Sequence, residues 1–488
     1  VKLPSLPDRR AAEAPHGLCL ADDERSLTNA EFRDAVRRAA TALSRHGVRA
    51  GDIVAVSLPN TVTLVVALFA AWRLGAAVTP LNPALSADEA KYQITDAAAR
   101  VLITDRPDGD EAGATILTPA ELDAEPDPSI EPAADERALA LVIYTSGTTG
   151  RPKGVMLDQA NLDAMCAMAI DAFALTAADR SLLILPLFHV NGIVVGTLCP
   201  LLVGGHTTIA GRFDPATFFD RVQRSRATFF SAVPTIYTML VGLPPEPVPD
   251  TSSLRFAVCG AAPASVELLA NFERRYRVPI IEGYGLSEGT CASTANPLHG
   301  PRKPGTVGLP LPGQRVRIAD ADGRPVAPGE SGEVLIAGPN VMLGYLNRPE
   351  ETASTLAGGW LHTGDIGRLD EDGYLVLVDR AKDMIIRGGE NIYPKEIETV
   401  VHRLPEVAEA AVVGGAHPVY GEVPVLFVSA APGARVDVAT LQAHLEASLA
   451  KYKRPAEITV LDQLPKNPVG KIDKPALRAR TASAAVSG

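Results

Sequence analysis

A chain of 488 residues in which 46% of side chains are apolar exceeds what one hydrophobic core ordinarily supports, so two or more domains are expected. Its 46 Lys and Arg against 57 Asp and Glu leave a formal net charge of -11, which excludes nucleic acid as a natural partner because that calls for a basic surface to neutralise phosphates. The five cysteines, Cys19, Cys166, Cys199, Cys259 and Cys291, show no C-x-x-C spacing, which argues against a structural zinc site and a disulfide framework and points to the reducing cytoplasm.

No charged-then-apolar signal peptide opens the chain, and Val1 in place of a start methionine implies that something short has been removed. In chain order, Ile53 to Ser57 reads as a strand, Leu64 to Leu74 as a helix and Ala77 to Pro80 as a strand. The most apolar stretch, Thr61 to Val78, is interrupted by Arg73 and falls short of a membrane span. Leu139 to Ile143, Leu182 to Leu185, Thr228 to Ala232 and Arg255 to Cys259 are further strand-like runs, most of them followed by turn residues and a helix. This alternation is the α/β signature.

From about Pro304 short β runs separated by Gly and Pro, including Gln314 to Ala319 and Glu333 to Ala337, predict a small β-barrel or distorted sheet. The charged tetrad Arg380-Ala381-Lys382-Asp383 follows the strand Tyr374 to Val378 and is read as a boundary. The expected fold class is therefore α/β: a large N-terminal domain, 1–380, of α/β subdomains plus a small β-barrel-like subdomain, and a small mobile α+β domain, 381–488. The latter contains a helix after Pro394, strands Ala410 to Val413 and Val423 to Ser429, and a helix near Val438 to Leu449. It would act as a lid.

The run Tyr144-Thr145-Ser146-Gly147-Thr148-Thr149-Gly150-Arg151-Pro152-Lys153-Gly154 carries six consecutive residues that are only Ser, Thr or Gly. Glycines allow close approach of the backbone to a polyphosphate, hydroxyls and N–H groups supply donors, and Lys153 adds positive charge. A P-loop would place Lys directly after its second Gly and before Ser or Thr, which this run does not do. A flexible linker is the bland alternative, but linkers seldom keep Lys and Pro after such a run.

The segment resembles the phosphate-loop signature of the acyl-CoA synthetase, luciferase and adenylation-domain superfamily, and further matches follow in the family's order. Gly283-Tyr284-Gly285-Leu286-Ser287-Glu288 is similar to its adenine and magnesium motif, with Ser287 where Thr is usual. The resemblance implies that Tyr284, after Gly283 in the nucleotide-binding motif, stacks on adenine, that Ser287 contacts the α-phosphate and that Glu288 holds Mg²⁺, a hard cation suited to carboxylate and phosphate oxygens. His362-Thr363-Gly364-Asp365 is similar to the ribose site, with Asp365 accepting from the sugar hydroxyls. Arg380 and Lys382 take the places of a ribose or phosphate contact and of the hinge, Gly388-Gly389 those of the pantetheine tunnel, and Lys471 that of the catalytic lysine.

By the same resemblance the acyl pocket lies beside His189-Val190-Asn191-Gly192, Phe229 to Thr235, Gly260-Ala261-Ala262-Pro263 and Gly283. His189 either gates it or packs against a neighbour. The stretch from Gly332-Glu333-Val334 through Gly344-Tyr345 also matches a family motif, but its glycines and strand pattern explain it as scaffold. His417 stands where relatives commonly carry Asp, and Tyr420 is a candidate to stack on coenzyme A.

Each motif alone is commonplace: a Lys after a Gly, a Thr-Gly-Asp turn and a charged pair are ordinary on surfaces. Their joint occurrence in order is not. The resemblance implies an ATP-dependent acid:thiol ligase that takes ATP, Mg²⁺ and coenzyme A, joins AMP to a carboxylic acid with release of pyrophosphate, and then passes the acyl group to the thiol. The pocket stretches contain no Lys or Arg, so a second carboxylate would be buried without a partner, and an uncharged aromatic or short-to-medium aliphatic acid is expected. Two rival readings use the same residues: loading of a carrier protein's phosphopantetheine, and a nucleotide-binding homologue that has lost catalysis.

Overall fold

The computed structural model describes residues 2–106, 113–145, 151–262, 264–380, 383–387, 390–466 and 472–484. The chain divides into two compact units, one of residues 1–316 with 335–362, the other of residues 317–334 with 363–488.

The first unit contains two large sheets. One has seven strands in the order Gly344–Tyr345, Lys153–Asp158, Leu139–Thr145, Ala77–Pro80, Ile53–Ser57, Val101–Thr104 and Thr115–Leu117. The other has nine, in the order Leu309–Pro310, Thr294–Ala295, Ile280–Tyr284, Phe256–Cys259, Phe229–Ala232, Arg180–Leu183, His206–Ile209, Leu18–Ala21 and Ser26–Thr28. The six strands from Ile280–Tyr284 to Leu18–Ala21 run parallel, and their inner positions are mostly apolar, as expected of a parallel sheet, with Ser181, Thr207 and Ser231 as buried polar exceptions. The largest apolar cluster is dominated by Leu, Val and Ala, and a second one gathers Phe218, Phe230, Tyr237 and Phe272.

The helix Val62–Arg73 explains the apolar run that stops short of a span. It is buried nearly all round, and Arg73 at its end is 3% exposed but satisfied, bonding Asp8 at 2.6 Å and donating from Nε to the Ile130 carbonyl at 3.0 Å. Among the described residues no helix is long and apolar enough to cross a membrane. Helix starts are set locally: Thr28 with Glu31, Ser86 with Glu89 and Asp158 with Asn161 form reciprocal caps.

Several strand limits differ from the sequence reading. The first hairpin strand reaches Thr145, so Tyr144 and Thr145 are strand residues paired with Gly154 and Lys153. The run at 182–185 is displaced to Arg180–Leu183, where it pairs in register with His206–Ile209 ahead of Pro186.

The second unit holds 317–319, 332–334, 363–369 and Leu375–Arg380 as strand segments of a four-stranded sheet. Arg380 is the last residue of its strand, whereas the charged tetrad led to an earlier end. Beyond it, the helices Pro394–Val401 and Val438–Ser448 pack with Val407–His417, Gly421–Ala430 and Glu457–Val460 in one cluster. Val407–His417 is longer than the expected 410–413 because Gly414 and Gly415 continue the ladder, opposite Pro424 and Val423.

His206 gives a pH signature. Burial, followed by the charges of Arg180 and Arg10, lowers it to about 4 from the ordinary value near 6.5. The unfolded chain therefore binds a proton below that ordinary value which the folded chain takes up only near 4, so stability is lost as pH falls across this window. His206→Gln is expected to lose less stability than the parent between pH 6.5 and 4 in urea titrations; parallel loss in both proteins contradicts the assignment.

Candidate active site

The hairpin Leu139–Thr145 and Lys153–Asp158 is the base of the Ser/Thr/Gly loop, and its last pair sets Thr145 opposite Lys153. Gly154 is demanded by packing: a Cβ there would lie 2.8 Å from a Val142 methyl and 3.3 Å from the Tyr144 ring. The base is braced from the side. Tyr144 donates to Asp96 at 2.8 Å, Arg348 bonds Asp96 at 3.3 Å and the Tyr92 hydroxyl at 3.1 Å, and Tyr92 donates to the Pro152 carbonyl at 3.0 Å. Burial, then the Asp96 bond, raises the Tyr144 phenol well above its usual range, so it stays a donor. Ser146, Gly147, Thr148, Thr149 and Gly150 lie outside the described residues.

The edge strand Gly344–Tyr345 pairs with Lys153–Asp158, setting Tyr345 opposite Val155. Tyr345 donates its phenol to Glu288 Oε1 at 2.9 Å, and the Lys153 ammonium stands 5.2 Å from the centre of its ring. Burial, followed by the Glu288 charge, raises this phenol as well. Lys153 is also ion-paired with Glu351. Lys153 and Glu288, 135 residues apart in sequence, are thus joined through Tyr345, which had been read only as scaffold. The Gly-Tyr pair that ends the motif was the available signal, but nothing in its spacing says which residues it meets.

Glu288 lies in the turn Ser287–Gly289, which follows the parallel strand Ile280–Tyr284. Gly285 is required there because any Cβ would strike the Cys291 carbonyl. Asn340, fully buried, donates to the Gly289 carbonyl at 2.7 Å, Thr290 donates to the Asn340 carbonyl, and Met342 N–H donates to the Glu288 carbonyl at 2.9 Å. Asn161, while closing its helix cap, donates to the Pro339 and Val341 carbonyls at 2.8 and 2.9 Å. Sequence reasoning missed both asparagines; no motif marks them.

Gly260 and Gly283 follow the paired residues Cys259 and Glu282 at the carboxyl ends of adjacent parallel strands, the position where open α/β sheets bind ligands. Ala261 takes a left-handed conformation with φ 65°, Ala262 follows it, and Pro263 lies outside the described residues. Tyr284 is buried at 9% exposure. His189 stands at the N-cap position of the short helix Val190–Ile193 without a capping side-chain bond, and its ring is 4.6 Å from that of Phe188. Asn60 clamps the preceding loop by bonding the Leu185 carbonyl and the Leu187 N–H, each at 2.9 Å. Burial pushes the Cys291 thiol, in the segment after the Glu288 turn, up to about 12. The helix continues as a π turn over Val194–Leu198, an irregularity frequent at functional sites.

Asp365 belongs to the second unit. It is 5% exposed and stands opposite Arg380 in the antiparallel register. Its turn is fixed by Thr363 Oγ1, which donates to the Val334 carbonyl at 2.7 Å, and by Gly364 N–H, which donates to Glu333 at 3.0 Å. Lys382, Gly388, Gly389 and Lys471 lie outside the described residues. Tyr420 is exposed, with the Arg387 guanidinium 4.8 Å and the His417 ring 4.9 Å from its ring. His417 Nδ1 accepts from the Val419 and Tyr420 N–H groups, both at 3.2 Å, the turn-closing role that a carboxylate would serve.

A magnesium ion fits the donor set. Among the described residues no three His, Cys, Asp or Glu side chains cluster as a cation cage. The Glu288 carboxylate would contribute one oriented oxygen ligand and leave the others to phosphate and water, as this ion prefers.

Residues 7–346 match the AMP-binding enzyme family and residues 396–471 the AMP-binding enzyme C-terminal domain. The chain is 40% identical to a feruloyl-CoA synthase of Amycolatopsis sp, covering 98% of this chain and 99% of the relative. It is 35% identical to an oxalate–CoA ligase of Arabidopsis thaliana, covering 96% and 95%. The structure of o-succinylbenzoate coenzyme A synthetase from Bacillus subtilis with ATP and magnesium ion superposes with a TM-score of 0.89 at 33% identity, covering 98% of this chain and 99% of that one.

Proposed function

Since the chain belongs to the AMP-binding enzyme family, among its AMP-forming acid:CoA ligases, we propose that it activates an uncharged aromatic or short-to-medium aliphatic carboxylic acid as its adenylate and transfers the acyl group to coenzyme A. The observation that carries the ATP half of this reading is the Lys153–Tyr345–Glu288 linkage at the base of the Ser/Thr/Gly loop. It sets a fixed cation beside a fixed carboxylate where a polyphosphate would enter.

A carboxylate is a poor electrophile toward a thiol. Its attack on the α-phosphorus of ATP forms a carboxyl–phosphate bond and breaks the bond to pyrophosphate. The protein's task is to hold the reactants in line and to neutralise charge on the phosphates. In this assignment Thr145 to Gly150 and Lys153 hold the β- and γ-phosphates, Ser287 and Lys471 meet the α-phosphate, Tyr284 packs on adenine, and Asp365 and Arg380 hold ribose. Magnesium held at Glu288 would supply charge neutralisation between phosphate oxygens. The thiol then attacks the acyl carbon and AMP leaves. Residues 381–488 would turn about Lys382 between the two steps, replacing Lys471 by the Gly388-Gly389 passage. Exposed Tyr420 with Arg387 offers an aromatic and cationic platform suited to the nucleotide of coenzyme A.

The relatives are named for different acids. The neutral pocket stretches support the uncharged class, since His189 to Gly192, Phe229 to Thr235 and Gly260 to Pro263 contain no Lys or Arg. The five buried free thiols support a reducing compartment, the cytoplasm. Pyrophosphate release across an acid panel, with coenzyme A or a phosphopantetheinyl carrier protein as acceptor, tests the reading. Benzoate or hexanoate is expected to turn over faster than malonate or oxalate and to yield the coenzyme A thioester. Faster turnover of the diacids overturns the acid class.

A further inference from the structure

Lys153 has a partner that the reaction as described does not use. Its side chain is 14% exposed and its ammonium is ion-paired with Glu351, which is 35% exposed and lies in the first turn of the helix Pro349–Thr355. A nearly buried ammonium needs a counter-charge, and Tyr345, whose ring faces the ammonium, is itself committed to Glu288. Glu351 is therefore the carboxylate paired with the Lys153 ammonium, while Glu288 is linked to it only through Tyr345.

We propose that Glu351 is a displaceable counterion, holding the Lys153 ammonium in place until a nucleoside triphosphate takes over the pairing. The proposal rests on the ATP reading of this site. An incoming polyphosphate is repelled by a carboxylate at the lysine it must reach, and the two anions compete for the same ammonium. Glu288 has a use for its charge, the cation that accompanies the phosphates. Glu351 has no such ligand assigned to it, and although the oxygen that meets Lys153 is buried, the side chain as a whole is 35% exposed and can swing outward when displaced. The pair thus keeps the lysine side chain in place in the empty enzyme, at some expense in nucleotide affinity. Glu351 is a positioning residue, acting through Lys153.

The test is calorimetric titration of the full-length protein with magnesium ATP in the absence of acid, alongside pyrophosphate release at saturating ATP. Glu351→Gln removes the competing charge and keeps the shape, and is expected to tighten ATP binding roughly three- to tenfold with kcat within about twofold. Glu350→Gln, an exposed change in the same helical turn, is expected to leave the affinity at the parent value. Unchanged or weaker binding by Glu351→Gln, with the parent binding normally, overturns the proposal and makes the pair a permanent brace. An equal gain in Glu350→Gln overturns it in favour of a general charge effect. Failure of the parent itself to bind ATP, matched by Lys153→Gln, locates the error in the ATP reading and removes the proposal with it.

Discussion

Replacing Lys471 by Ala is expected to reduce acid-dependent pyrophosphate release about a hundred- to a thousandfold, while conversion of supplied acyl-AMP to thioester stays within a few-fold of the parent. The asymmetry follows from where charge develops. In adenylate formation negative charge grows on the α-phosphate and the departing pyrophosphate, and a cation aimed there is worth most in the transition state. In thioester formation the reacting centre is the acyl carbon, and the assigned place of Lys471 is then taken by the thiol passage. The described residues on either side of the segment are tied together: Lys466 and Ile472 form an antiparallel bridge, Asp473 N–H donates to the Pro465 carbonyl at 2.8 Å, and Lys466 is ion-paired with Glu409. Separate assays of the two half-reactions decide it. Equal loss in both would show that Lys471 does not act in one step alone.

Asn340→Leu is expected to lower the stability of the first unit by about 2 to 4 kcal/mol and adenylation by about a hundredfold. The side chain is fully buried and its amide donates to the Gly289 carbonyl at 2.7 Å. Leucine of similar volume fills the space but leaves that carbonyl without this donor, and the turn Ser287–Gly289 loses one of the bonds that aim Glu288. Because Met342 N–H still donates to the Glu288 carbonyl, the turn should shift and not unravel. A displacement of about 1 Å suffices for a loss of this size when positioning is most of the catalysis. Urea denaturation and pyrophosphate release measure the two effects. A variant with the parent's midpoint and rate would show that the buried amide neither stabilises nor positions the turn.

Both predictions turn on the difference between recognising a residue and knowing what holds it. Local order was legible in the sequence. Strands such as Ile53–Ser57 and Ala77–Pro80 were delimited by apolar runs between turn residues, and the change to short β runs after Pro304 marked the strands at 315–319 and 332–337. Those signals are short-range, and a strand or cap is decided largely by its own residues. Strand ends were less legible, because pairing across the sheet, as between Thr145 and Lys153 or along Val407–His417, extends a strand past the point where local composition stops favouring it.

The chemistry of the site was also written locally: a Ser/Thr/Gly run before a lysine, a carboxylate after Tyr-Gly-x-Ser, and an aspartate in a Thr-Gly-Asp turn. What the sequence by itself determined is the α/β setting and the order of these motifs, each written within a few neighbouring residues and marked as a candidate only by their joint resemblance to the family. Only the tertiary structure decided that Tyr345 joins Lys153 to Glu288, that Glu351 pairs with the lysine, that Asn340 bonds the Gly289 carbonyl and that Asn161 holds the segment beside Asn340. These contacts link residues far apart in the chain, and a pairing that depends on which segments fold against each other leaves no pattern in either segment alone.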